Sequence, residues 1–145
     1  MKKMLFSVKG LVLSVGLIGL SIFAISNYAF SNSPYLEKEF IVQKSVLNTF
    51  DLNEDEMSSY FMSDIFDKKL QKLSSNVNQK VLSAYSMLTN DDEIKIGDFK
   101  PMFFLKGNDT LLIGIKHEDG TISLTEFDIS KEKPVKVKTQ TKEGK

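Results

Sequence analysis

Cysteine and arginine are both absent from the 145 residues, histidine occurs once at His117, and proline occurs three times, at Pro34, Pro101 and Pro134. Without cysteine there are no disulfide staples, no thiol nucleophile, no zinc–thiolate site and no lipid-modified cysteine anchor. Without arginine the bidentate fork best suited to phosphates and carboxylates is missing, which weighs against specific nucleic-acid readout. A single histidine excludes a histidine-rich metal site and an H-E-x-x-H hydrolase. The glycines are scattered without a phosphate-loop pattern, and neither G-x-S-x-G nor S-x-x-K with its partners occurs. Net charge is also missing: 19 lysines balance 19 acids, so the whole-chain total gives no case for nucleic acid. The length suits one ordinary domain rather than a large multidomain enzyme.

What is present is unevenly distributed. Lys2, Lys3 and Lys9 precede an uncharged stretch from Gly10 to Phe30, and no acid occurs before Glu37. As a helix those 21 residues span about 31 Å at ~1.5 Å per residue, close to a bilayer core of roughly 30 Å. A basic start, an apolar centre and small residues at Ala29 and Ser31 also fit a signal peptide cut after Ser31, with a weaker site at Ala24-Ile25-Ser26. Residues 1–31 are therefore expected to be a signal peptide or a single transmembrane helix. Either places the rest outside the cytoplasm, because the lysines hold the amino end inside. The product is then periplasmic or secreted if cleaved, and otherwise anchored in the inner (cytoplasmic) membrane with its C-terminal domain outside.

Residues 32–130 have the pattern of an exported α+β domain. Leu36, Phe40, Leu47 and Phe50 recur near helical spacing, although Phe40-Ile41-Val42 would also suit a strand. A second helix is expected after a cap at Asp51 or Asn53, with Met57, Phe61 and Ile65 on one stripe and Met62, Phe66, Leu70 and Leu73 on another. A third starts at Ser74, Ser75 or Asn76 and carries Val77, Val81, Tyr85 and Leu88 to its end near Thr89–Asp92. The period then changes to two. Met102–Leu105 is a dense apolar run, Leu111, Ile113 and Ile115 alternate, and Ile122 and Leu124 continue after Asp119-Gly120, a strong hairpin signal. Phe127 and Ile129 resume out of phase, as at a bulge or strand end. These runs imply about three helices packed on one face of an antiparallel sheet of three to four strands, a two-layer domain. Helices ahead of a small curved sheet resemble the cystatin-like and NTF2-like arrangements, a likeness of fold that implies nothing about activity.

Residues 131–145 form a lysine-rich C-terminal tail with six Lys and two Glu, a net of +4, whereas residues 32–130 carry −7. The tail reads either as a solubilising frayed terminus or as a short edge strand, since Val135 and Val137 alternate with Lys136 and Lys138. It also offers lysines to an anionic membrane or wall polymer.

No residue set carries convincing chemistry, so no catalytic, cofactor-binding or metal residue is assigned. His117 lies in a hairpin tip, where an exposed turn histidine is expected rather than an activated one. Asp51, Asn53 and Asp55 begin like a calcium loop, but Glu56 replaces the turn glycine and Met62 the bidentate Glu, so the run reads as a helix-capping acidic cluster. Asp91-Asp92-Glu93 reads as a solvated turn, and Asp64 and Asp67 as solvent-side helix residues. The expected function is that of a non-enzymatic extracytoplasmic binding or accessory protein of a bacterial-type cell-envelope assembly, with a protein partner and no nucleic acid. The residues expected to touch that partner are Asp51, Glu54, Asp55, Glu56, Lys133, Lys136 and Lys138. Alternatives are an exported inhibitor or immunity-type protein that blocks an enzyme, and a small-ligand carrier or cryptic carboxylate-based hydrolase.

Overall fold

A computed structural model describes residues 34–68 and 72–144. The elements are α1 (Pro34–Phe50), a 3-10 turn (Glu54–Glu56), β1 (Ser58–Tyr60), α2 (Met62–Phe66), α3 (Ser75–Asn90), β2 (Met102–Lys106), β3 (Thr110–Lys116), β4 (Thr121–Asp128) and β5 (Val135–Glu143). The five strands form one sheet in the order β1-β2-β3-β4-β5, with every neighbouring pair antiparallel. The described residues thus form a small α+β domain of three helices packed on a five-stranded sheet.

Both faces of the central strands are buried. Phe103, Leu105, Leu111, Ile113, Ile115 and Phe127 point to one side and pack with Ile65 of α2 and Val81, Ala84 and Leu88 of α3. Met102, Phe104, Leu112, Ile122 and Leu124 point to the other and pack with Val42, Val46 and Leu47 of α1. Alternate residues of a strand face opposite ways, so a run buried on both faces reads as continuous apolar sequence, as Met102–Leu105 does. The expected two-layer arrangement is therefore corrected to three layers, with α1 on one face and α2 and α3 on the other. The same geometry explains the phase change in β4. Ile122 and Leu124 serve the α1 face, whereas Phe127 and Ile129 serve the α3 face. The register irregularity lies between β4 and β5 at Glu126/Phe127, where Phe127 opposes Lys136 and Glu126 opposes Lys138, leaving Val137 unopposed.

The expected second helix does not form as one element. Asn53 accepts the Asp55 amide at 3.1 Å and starts only the 3-10 turn, after which Ser58–Tyr60 pairs with Phe103–Leu105 as β1. Unpaired backbone groups on the open edge of β2 favour a strand there over a helix. The helical remnant is α2, where Asp64 accepts the Phe61 amide at 2.9 Å. Asp64 is only 5% exposed and pairs with Lys72 at 2.8 Å, which corrects its assignment as a solvent-side residue. Leu70 lies outside the described residues. The C-terminal tail forms β5 along the whole of β4, so of the two readings the edge strand is the one adopted. Lys142 on β5 reaches the Thr49 carbonyl at 3.3 Å and sits over the Phe50 ring at 4.9 Å, placing a cation at the carboxyl end of α1.

The membrane expectation is also corrected. Among the described residues no helix is long and apolar enough to cross a membrane. The longest of those described, α1, has 17 residues and buries Glu39, Gln43, Ser45 and Thr49 along with its apolar side chains. The segment 1–31, on which the signal-peptide and transmembrane readings rested, lies outside the described residues.

Gly114 lies where α1 comes close against the sheet. A Cβ there would stand 2.7 and 2.8 Å from the two Val46 methyls. Gly114→Ala should destabilise the domain by about 1–3 kcal/mol through overpacking, seen as a lower urea midpoint, and Val46→Ala in the same chain should recover part of the loss. Glu39 provides a pH test. Burial, aided by the nearby Asp64 charge, raises its carboxyl above the ordinary value of 4.5. The folded state therefore holds this proton more tightly, so the contribution to stability is full below 4.5 and is lost as pH climbs through the raised value. Glu39→Gln should gain in urea midpoint relative to wild type between pH 4.5 and 7. A larger loss at pH 7 than in acid would instead mean that attraction to Lys100, 3.8 Å away, outweighs the cost of burying the charge.

Candidate functional site

The cross-strand rows that are apolar on β2 and β3 become polar toward β5. On the α3 face, Phe103 and Ile113 are followed by Thr125 and Thr139, and Ile115 by Ser123 and Thr141. On the α1 face, Met102, Gly114 and Leu124 lead to Gln140, and Phe104 and Leu112 lead to Glu126 and Lys138. The β4–β5 end of the α3 face is lined by the segment from Asp92 to Asp98, leaving a cleft of about 680 Å³.

That segment is held by specific contacts. The Phe99 amide donates to the Lys116 carbonyl at 2.9 Å, and the Lys95 amide donates to Asp98 Oδ2 at 2.8 Å. Gly97 has φ +101°, a conformation that favours glycine, and a Cβ there would lie 2.7 Å from Glu118 Oε2. Asp98 is thereby aimed at His117, whose Nδ1 lies 3.0 Å from Asp98 Oδ2. The other ring nitrogen, Nε2, lies 2.7 Å from Ser123 Oγ, and Ser123 Oγ lies 2.9 Å from Thr141 Oγ1. The His117 and Asp98 side chains are 15% and 4% exposed, and Ser123 is 8% exposed.

For a neutral imidazole, donor and acceptor chemistry assigns the direction of this chain of hydrogen bonds. An ionised carboxylate can only accept, so the neutral imidazole carries its proton on Nδ1. Nε2 is then an acceptor, and the Ser123 hydroxyl donates to it. A second polar set lies beside the first. Glu93 pairs with Lys136 and accepts from Thr125 and Thr139 at 3.4 Å each. Asp91 approaches Lys136 at 3.2 Å. The hydrogen bond to Glu93, with Asp91 adding to it, raises the Lys136 ammonium above its ordinary value.

The cleft is strongly acidic. Asp92, Glu93, Asp98, Glu118 and Asp119 line it, against Lys95 and His117 as the basic groups. Asp119 is held below its ordinary value by the Thr121 hydroxyl and amide, so it stays anionic at neutral pH. Ile96 lines the cleft and is fully exposed. Among the described residues there is no group of three or more His, Asp or Glu arranged to hold a metal ion.

None of the residues expected from sequence to contact a partner lines this cleft. Asp51 is exposed at a positive φ of 52° just after α1. Glu54 accepts from Gln43 at 3.1 Å, and Glu56 pairs with Lys106 at 2.9 Å and is lowered by it. Asp55 uses its backbone amide to close the cap on Asn53. Lys133 is exposed between β4 and β5, Lys138 pairs with Glu126 at 3.2 Å, and Lys136 belongs to the Asp91 and Glu93 set. His117 is corrected from an exposed turn residue to a mostly buried one with both nitrogens bound. Asp91 and Asp92 are exposed in a turn, as expected, and that turn is tied to β5 through Lys136, which meets Asp91 and the partly buried Glu93. Sequence reasoning passed over Asp98 and Ser123 as site residues. The available signal was alternation: Ser123 and Thr125 occupy positions that pattern inward, among Ile113, Ile115 and Phe127. No family model, no curated protein and no solved structure matches this chain.

Proposed function

We propose that the chain is an extracytoplasmic binding protein that docks a lysine-rich segment of a protein partner in the acidic cleft beside β4 and β5. The single observation that carries this reading is the cleft itself, in which five carboxylates face Lys95 and His117 and the pinned loop places a bare isoleucine among them. Carboxylates gathered in a concave site reinforce one another's field and favour a cation over an anion. Ile96 supplies apolar area of the kind a protein partner covers and a small cation does not. Export rests on the amino-terminal pattern of three lysines, an uncharged stretch and small residues at Ala29 and Ser31.

Two measurements test these two parts separately. A fluorescein-labelled octalysine peptide should bind the mature domain and lose affinity as salt rises through the range where the Debye length shortens. Asp92→Asn with Glu118→Gln should weaken binding about tenfold or more, whereas Asp55→Asn at the opposite acidic run should leave it unchanged. Equal binding by all three proteins would reject the cleft as the site. Export is read from intact mass: the secreted or periplasmic product should begin at Asn32, and a full-length species recovered from the cytoplasm would reject it.

A further inference from the structure

The chain Asp98–His117–Ser123 has the connectivity by which a serine is activated: an acid that fixes the imidazole tautomer, an imidazole that accepts the hydroxyl proton, and a hydroxyl at hydrogen-bond distance. The distances are 3.0 Å and 2.7 Å. All three side chains line the same cleft. The only histidine of the sequence is thus held on both nitrogens, with its basic Nε2 directed at a hydroxyl. We propose that Ser123 is an activated nucleophile that forms a covalent acyl intermediate with small carboxylic esters, preferring esters that carry a cationic group. The preference for a cation rests on the reading of the acidic cleft given above; the activation of Ser123 rests on the hydrogen-bond geometry alone.

The step balances without any further reagent. Ser123 Oγ attacks the ester carbonyl carbon while its proton passes to His117 Nε2. The oxyanion re-forms the carbonyl as the bond to the alkoxy group breaks, and the departing oxygen takes the proton from Nε2. Water, deprotonated by the same nitrogen, then attacks the acyl-serine and releases the carboxylic acid, returning the proton to Ser123. Ser123 and His117 are the catalytic residues, and Asp98 is a positioning residue that acts through the imidazole.

The weak part of the site is the oxyanion. Ser123 lies inside a strand paired on both sides, so its own amide is not free in the way that paired backbone donors of an efficient site are. Thr141 Oγ1, 2.9 Å from Ser123 Oγ, is a donor placed beside the reacting atom. The surrounding carboxylates oppose negative charge. Acylation is therefore expected to be slow, and covalent labelling reads it better than turnover.

The full chain is treated with a fluorophosphonate, which leaves a phosphonyl group on the serine oxygen as the P–F bond breaks and HF is lost. Intact mass should show one adduct, and peptide mapping should place it on Ser123. Asp98→Asn should slow labelling about tenfold or more while the far-ultraviolet circular dichroism stays that of wild type. No adduct on wild type, or an adduct on His117 or another residue, would overturn the proposal without reference to any variant. Hydrolysis of acetylcholine compared with its uncharged isostere 3,3-dimethylbutyl acetate tests the preference: a salt-sensitive advantage for the cationic ester supports it, and equal salt-insensitive rates remove it. Octalysine binding without Ser123 labelling would sink the nucleophile and leave the binding reading standing. Labelling without octalysine binding would do the reverse.

Discussion

The hairpin of β2 and β3 is apolar on both faces, and every other element is arranged around the need to cover both at once. Phe103, Leu105, Leu111, Ile113 and Ile115 require a lid on one side, and Met102, Phe104 and Leu112 require one on the other. A single helical layer would leave half of these side chains in water, at a cost of roughly 1.5–3 kcal/mol for each large side chain left exposed. Cysteine is absent, so no cross-link offsets such a loss. The helices must divide, and α1 goes to one face while α2 and α3 go to the other. Gly114 shows how tight the result is, since Val46 fills the space that a side chain at 114 would need.

On the α3 face, the part of β4 and β5 around Ser123 and Thr141 is lined by the loop after α3 rather than by a helix. That region is filled by hydrogen bonds in place of apolar packing. Ser123 meets Thr141 and Thr125 meets Thr139 across the strands at 2.9 and 3.0 Å, pairings that contribute to sheet stability in their own right. The segment after α3 crosses this polar ground and is pinned at Phe99, Asp98 and Glu93. A concave acidic site follows from that arrangement: the loop is fixed at several points, yet it does not fill the space above the hydroxyls. Binding and nucleophilic readings therefore draw on one structural cause, the handover from apolar to polar rows across the sheet.

Legibility in the sequence differed by element for physical reasons. The third expected helix was readable because Val77, Val81, Tyr85 and Leu88 follow one period and the segment is long enough for that period to dominate. The hairpin turn at Asp119-Gly120 was readable because turn chemistry is local. The stretch from Asp51 to Leu73 was not, because its apolar spacing suits a helix while the open edge of β2 offers partners to an extended backbone. Helical spacing lost to those partners at Ser58–Tyr60. The site was the least legible part. Asp98, His117 and Ser123 are 19 and 6 residues apart, so no short motif joins them, and a histidine near a turn gives no sign of whether a loop folds over it. The acidic run at Asp51–Glu56 drew attention by composition, yet its members are spent on a cap, on Gln43 and on Lys106.

By itself the sequence determined the class of the domain, the location of its turns, the long third helix, and the absence of thiol, zinc–thiolate and disulfide chemistry. These follow from residue type and from periodicity over neighbouring positions, which act within a few residues of themselves. Tertiary structure alone decided that the helices divide between two faces, that the lysine-rich tail is a paired strand, and that His117 stands between Asp98 and Ser123. Those outcomes depend on which distant surfaces compete for the same apolar strands and the same unpaired backbone, and the winner of that competition is set by residues far apart in the order.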